Sequence, residues 1–236
     1  MSDNYWVLGK QSVFEIIKNN KKKIIEIAIE EAKFKELPKF FNTNKIIIKD
    51  KKFFTKIKEA DFPDQGYAVC VEREKDKDIE KYLNAINNFI VLDNINDPRN
   101  IGSIIRTCVA MNMPNIVVEK KFFKHSNQLI NKTASGATEY ANIFRVSNIG
   151  NTLRYLIKKN YQLYGFDSNK TAETIKSKFW STHNAFVFGA EDEGIKYNNK
   201  KLIDKLVKIN TTDEMESLNV SNSVAAFLGI FDLLKN

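Results

Sequence analysis

Phe89-Ile90-Val91-Leu92-Asp93-Asn94-Ile95-Asn96-Asp97-Pro98-Arg99-Asn100-Ile101-Gly102-Ser103-Ile104-Ile105-Arg106 opens with a short, continuous apolar run and closes with apolar residues at helical spacing. The run 89–92 reads as a buried strand, and Asp97 followed by Pro98 reads as a cap and a first helical position. This strand–turn–helix unit then repeats in outline. Helix-like stretches at 101–111, 127–135, 153–159 and 224–234 are interleaved with strand-like runs at 116–118, 162–166, 185–188 and 206–209. Alternation of this kind predicts an α/β fold around a mostly parallel sheet.

Within the first unit, Arg106 lies one helical turn beyond Gly102, among Ile104, Ile105 and Val109. An Arg buried there needs an anion or a carboxylate, because an unpaired buried charge is costly. A salt bridge and a ligand site both meet that need. Two further clusters stand out. Gly189-Ala190-Glu191-Asp192-Glu193-Gly194 follows the run 185–188, where glycines allow close backbone approach and Glu191 is an acceptor or charge partner. Taken alone it is equally a surface turn. Ser217-Leu218-Asn219-Val220-Ser221 leads into the last helix with three candidate caps, more than one helix start needs. Side chains of this type beside backbone N–H groups suit a polar or charged ligand. The glycine loop comes late in the chain, whereas a dinucleotide fold or a Rossmann-type methyltransferase places its glycines after the first strand. No phosphate-loop motif is present, so P-loop hydrolysis has nothing to carry it.

Upstream, residues 1–72 read as a smaller α/β unit, with a helix starting near Lys10, strands at 24–29, 45–48 and 66–71, and a short helix within 51–60. Residues 73–87 begin with a charge run and read as a linker, and 88–236 form the larger domain. The chain carries +8 overall, and residues 10–58 alone carry 14 lysines against 6 acids. A polyanionic partner such as RNA fits that balance, as does a solvated surface. Cys70 and Cys108 stand in unlike settings, and His125 and His183 lack ligand spacing, so neither a disulfide framework nor a metal site is expected. With no secretory leader and no run of about 18 apolar residues, the expected location is the cytoplasm, without membrane attachment.

Taken in order, the three clusters resemble the motifs of the SpoU (TrmH) family of RNA ribose 2′-O-methyltransferases. Asn100-x-Gly102-x-x-x-Arg106 is similar to the first, Gly189-x-Glu191-x-x-Gly194 to the second and Ser217-Leu218-Asn219-Val220-Ser221 to the third. Thr133-Ala134-Ser135-Gly136-Ala137, followed by Glu139, is similar to the stretch that shapes the family's substrate side. Leu8-Gly9-Lys10-Gln11-Ser12-Val13 and Gln65-Gly66-Tyr67-Ala68-Val69 resemble the ends of a ribosomal-protein-like RNA-binding domain. That domain is carried by the subgroup that methylates a guanosine in the P loop of large-subunit (23S) rRNA. The stretch 32–46 is shorter than is usual there.

The resemblance implies a C-terminal trefoil knot, S-adenosylmethionine as cofactor and a homodimer whose sites draw on both subunits. It implies that Gly189, Ile209 and Leu218 hold the cofactor. It also implies catalytic roles for Arg106, Asn100, Glu191, Ser217 and Asn219, with no metal. Arg106 is the family's candidate for activating the hydroxyl or fixing the adjacent phosphate, and the poor basicity of a guanidinium's already protonated form weighs against the first. Ile209-Asn210-Thr211 departs from the family's usual Ile-Pro-Met, which implies a looser loop and weaker donor binding. Two alternatives stand beside the rRNA enzyme: a tRNA guanosine 2′-O-methyltransferase, and a non-catalytic RNA-binding factor of ribosome assembly. Arg106→Ala separates the enzymes from the factor, since only the enzymes need it for methyl transfer.

Overall fold

The computed structural model describes residues 4–38, 45–59, 62–167, 172–175, 180–212, 214–215 and 217–234. The first half of the chain forms β1 (Asn4–Leu8), α1 (Lys10–Asn19), β2 (Ile24–Glu30), β3 (Ile46–Lys49), α2 (Lys51–Ile57), β4 (Tyr67–Glu72), β5 (Asn88–Asp93) and α3 (Pro98–Ala110). Then come β6 (Asn115–Glu119), α4 (Gln128–Ala134), β7 (Asn142–Val146), α5 (Ile149–Lys158) and β8 (Gln162–Phe166). The last elements are β9 (Glu173–Thr174), β10 (Asn184–Gly189), α6 (Tyr197–Lys200), β11 (Lys205–Lys208) and α7 (Val220–Leu233). They fall into two compact units, Met1–Lys75 with Lys124–Tyr140, and Asp76–Phe123 with Ala141–Asn236.

The N-terminal unit holds a four-stranded sheet in the order β1-β4-β2-β3, with β4 antiparallel to β1 and β2, and β3 parallel to β2. It has four strands where the sequence predicts three. Strand β1 escapes the pattern because both its faces are apolar: Tyr5 and Val7 pack with Val13 and Ile16 of α1, while Trp6 and Leu8 pack with Phe54 of α2. No polar–apolar alternation remains to reveal it. Gly9 precedes α1 at φ 100°, a left-handed value that favours glycine.

Helix α4, expected among the helices of the larger domain, packs instead in this unit. Ser12 Oγ donates to the Asn131 carbonyl at 3.0 Å, and Gln128 bonds the Ile57 carbonyl at 2.8 Å and the Glu59 N–H at 2.9 Å. Lys22 Nζ meets Glu139 Oε1 at 2.6 Å with side-chain exposures of 5% and 2%, so this is a buried ion pair. Burial works against the Lys22 ammonium, but Glu139, with help from the nearby Tyr5, holds its pKa above the ordinary value.

The second unit is built on a seven-stranded sheet in the order β7-β6-β5-β10-β8-β11-β9, in which each pairing is parallel. One face packs Phe89, Val91, Phe144, Leu153, Leu163 and Val187 together. On the other, Phe166, Phe186 and Phe188 meet Phe227 of α7 with ring centroids 4.6–5.8 Å apart. Strand β7 was not foreseen from the sequence.

The stretch expected to be a solvated linker is tied down from Asp76 onward. Asp76 bonds Arg145 at 2.7 Å and Lys120 at 3.2 Å, and Leu83 and Ile86 are buried in the sheet's core cluster. Burial opposes the Asp76 charge, yet Lys120 and Arg145 outweigh it and hold the carboxyl below its ordinary value. Strands β8 and β9 are consecutive in the chain, but β11 lies between them and pairs with both.

Candidate active site

Strands β10, β8 and β11 are neighbours in the sheet, and their carboxyl ends open on a cavity of about 330 Å³. Parallel sheets place ligands at this end of their strands. Gly189, Glu191, Ile209, Ser217 and Leu218 line the cavity, so five of the eight expected site residues share one wall system. Phe166, Phe188, Val207 and Val220 add apolar surface. The Phe166 and Phe188 rings stack at 4.1 Å with planes 9° apart.

Two more of the eight join through Glu191. Asn100 Nδ2 donates to Glu191 Oε1 at 2.8 Å, and Asn219 Nδ2 donates to the same oxygen. Asn219 Nδ2 also donates to Asn100 Oδ1 at 3.0 Å, closing a triangle that links all three motifs. Asn219 is the N-cap of α7 as well, since its Oδ1 accepts from the Ser221 N–H at 2.9 Å. Three candidate caps resolve into one cap with a second duty.

Arg106 stands apart. It is exposed on α3, not buried among Ile104, Ile105 and Val109, and among the described residues it makes no hydrogen bond or ion pair. The expectation of a partner forced by burial is therefore corrected: Ile104 and Ile105 turn into the core while Arg106, one position on, turns to solvent.

The glycine loop also works differently from the sequence reading. A Cβ at Gly189 would stand 2.0 Å from the Gly194 carbonyl carbon and 2.2 Å from the Ile195 nitrogen, so the close approach is by the chain's own returning backbone. Gly194 turns that return at φ 63°. The loop is anchored below by Asp93, at 0% exposure, whose Oδ2 accepts from the Lys196 N–H at 2.9 Å and whose Oδ1 accepts from Asn199 Nδ2 at 3.0 Å. Burial pushes the Asp93 carboxyl above its ordinary value, and these two donors offset it only in part. Sequence reasoning passed over Asp93, although an acid at the carboxyl end of a predicted strand was a usable signal.

Asn210 replaces the family's proline with a specific contact, accepting from Thr174 Oγ1 of β9 at 3.3 Å. Both cysteines are free and buried, and burial pushes the Cys108 thiol up to about 12. Among the described residues no group of three or more His, Cys, Asp or Glu side chains could hold a metal, and no helix is long and apolar enough to cross a membrane.

The family model described as the SpoU rRNA methylase family matches residues 87–229, which span the triangle and the cavity. The chain belongs to that family. The family's members are RNA 2′-O-methyltransferases that use S-adenosylmethionine. An uncharacterized tRNA/rRNA methyltransferase of Borreliella burgdorferi is 30% identical over 70% of this chain and 77% of its own. The 23S rRNA (guanosine-2′-O-)-methyltransferase RlmB of Xylella fastidiosa is 26% identical over 98% of this chain and 96% of its own. The SpoU methyltransferase AviRb of Streptomyces viridochromogenes, solved in complex with AdoMet, shares the fold with a TM-score of 0.79 at 17% identity, covering 99% of this chain and 90% of that one.

The cavity fits the cofactor in kind. Apolar walls from Phe166, Phe188, Val207, Ile209 and Leu218 suit a purine, and the polar rim of Ser217, Ser223 and the 190–194 loop suits an amino-acid tail.

Proposed function

We propose that this protein methylates the ribose 2′-oxygen of a guanosine in the P loop of 23S rRNA. The carrying observation is the Asn100–Glu191–Asn219 triangle, which ties the first turn of α3, the 190–194 loop and the start of α7 together beside one cavity. Gly189, Ile209 and Leu218 are the cofactor contacts in this reading. S-adenosylmethionine, when bound, supplies an electrophilic methyl group for in-line attack.

The chain's own part is to position and to handle charge. Glu191, with one oxygen engaged by two amides, holds Asn100 and Asn219 as orienting groups for the nucleotide, and Ser217 adds a hydroxyl at the cavity wall. Arg106 is an exposed guanidinium whose fork of N–H donors matches a phosphate, so it serves as a clamp on the phosphate beside the target ribose. The clamped phosphate takes part in removing the hydroxyl proton. Arg106 acts in the partner's site of a homodimer. The exposed side of α7 supports that pairing: Ala225 and Leu233 are open, and a Cβ at Gly229 would meet nothing within 4 Å.

The insertion of β11 between β8 and β9 supports a trefoil knot around the cofactor pocket. The N-terminal unit, whose stretch 10–58 is strongly basic, serves as the RNA grip, and the protein works in the cytoplasm. Along the sequence the grip is 1–72, the connection 73–87 and the methyl-transfer part 88–236, with 124–140 packing in the first unit and 76–87 in the second. The near-full-length match to the rRNA enzyme of Xylella fastidiosa favours rRNA over tRNA.

Purified protein incubated with radiolabelled S-adenosylmethionine and unmodified 23S rRNA or tRNA tests the proposal. Label in 2′-O-methylguanosine from rRNA is the expected outcome. Label from tRNA alone overturns the substrate, and absence of label from both rRNA and ribosomal precursors overturns the activity.

A further inference from the structure

One charged pair in the cavity wall is used by none of the motifs. Asp167 follows the last residue of β8 and Lys200 ends α6, and Lys200 Nζ meets Asp167 Oδ2 at 2.5 Å. Both residues line the cavity, with side-chain exposures of 16% for Asp167 and 31% for Lys200. Asp167 is further fixed by its backbone, whose N–H donates to the Val207 carbonyl of β11 at 3.1 Å. Strand β8 is the middle of the three strands whose ends form the cavity, so this carboxylate sits between the Gly189 side and the Ile209 side.

Resting on the reading of the cavity as the S-adenosylmethionine site, we propose that Asp167 accepts hydrogen bonds from the vicinal hydroxyl pair of the donor's ribose, with Lys200 as its positioning residue. Three observations carry this. The stacked rings of Phe166 and Phe188 put the apolar wall next to Asp167, so a purine on that wall carries its sugar toward the carboxylate. An acidic residue at the carboxyl end of a parallel strand is a general solution for a ribose diol. Finally, a carboxylate already matched by an ammonium gains little from a second cation, such as the donor's α-amino group. Beside that cation its oxygens remain charge-assisted acceptors, which hydroxyls bind more strongly than neutral ones.

Calorimetric titration with S-adenosylhomocysteine and with its 2′-deoxy analogue tests the assignment without turnover. Binding of S-adenosylhomocysteine to the wild-type protein stands for the cofactor reading itself, and its absence overturns that reading. Given binding, Asp167→Ala weakens S-adenosylhomocysteine by roughly tenfold to a hundredfold, the value of a hydrogen bond to a charged group. The 2′-deoxy analogue binds the wild type and the variant with affinities closer together than the parent ligand does. Lys200→Met gives a smaller loss for the parent ligand, and Asp167→Asn, which keeps an acceptor, recovers part of it. Equal weakening of both ligands by Asp167→Ala, or unchanged affinity for the parent ligand, overturns the proposal.

Discussion

Each unit buries a carboxylate, and the two are handled in opposite ways. In the N-terminal unit Glu139 is matched by the Lys22 ammonium at 2.6 Å. In the other, Asp93 is hydrogen-bonded by two neutral donors, the Lys196 N–H and the Asn199 amide, and the Lys196 ammonium and the Glu119 carboxylate act on it in opposite directions without bonding to it. The pKa of Lys22 and the pKa of Asp93 both move upward, yet the meaning is reversed. The shift favours the charged form of Lys22 and penalises the charged form of Asp93. The first unit therefore favours its ion pair, while in the second burial works against the charged form of Asp93. The first arrangement stabilises a fold. The second places a buried hydrogen-bonding carboxyl beneath the 190–194 loop, where it positions the backbone.

The sharpest way to break this comparison is Lys22→Met, which strands Glu139 in the interior. Denaturant unfolding should show a loss of about 3–5 kcal/mol, as for other buried pairs broken on one side, with cofactor affinity of the remaining folded protein unchanged. Asp93→Ala should cost less, about 1–3 kcal/mol, by leaving two donors unsatisfied, but it should weaken S-adenosylhomocysteine in the same titration where Lys22→Met does not. Asn219→Ala should cost about 1 kcal/mol of stability as a lost cap, while methyl transfer falls much further because the triangle opens.

The smallest effect is in pH, where Lys22 and Asp93 share a sign and differ in the window in which they act. The folded-state pKa of Lys22 is raised, so its contribution is complete below the ordinary 10.5 and fades as pH rises through the higher folded value. The gap in melting temperature between wild type and Lys22→Met should close there. The folded-state pKa of Asp93 is also raised, so its contribution is complete below the ordinary 3.8 and fades as pH rises through the folded value. Wild type should therefore gain on Asp93→Asn as pH falls through that window.

The parallel sheet was legible because the runs 89–92, 116–118 and 185–188 are apolar throughout and 163–166 lacks any charged residue, as strands covered on both faces must be. Asn100, Glu191 and Asn219 were legible because polar side chains crowd the turns where helices begin. What stayed hidden was partnership across the chain. Lys22 and Glu139 are 117 residues apart, and nothing in the local pattern of α4 says that it packs in the N-terminal unit. Arg106 was misread for a related reason, since its apolar sequence neighbours lie on a different face of α3. Asp93 and Asp167 look like ordinary strand ends until the strands are set side by side.

The seating of β11 between β8 and β9 has a consequence for the timing of synthesis. The wall residues from Val207 to Ser223 emerge from the ribosome after the rest of the cavity, and β11 finds its place only between two segments made long before it. A nascent chain halted ahead of Lys205 has most of its sheet but an unfinished cavity wall. The cavity closes only once translation has reached Ser223 of α7.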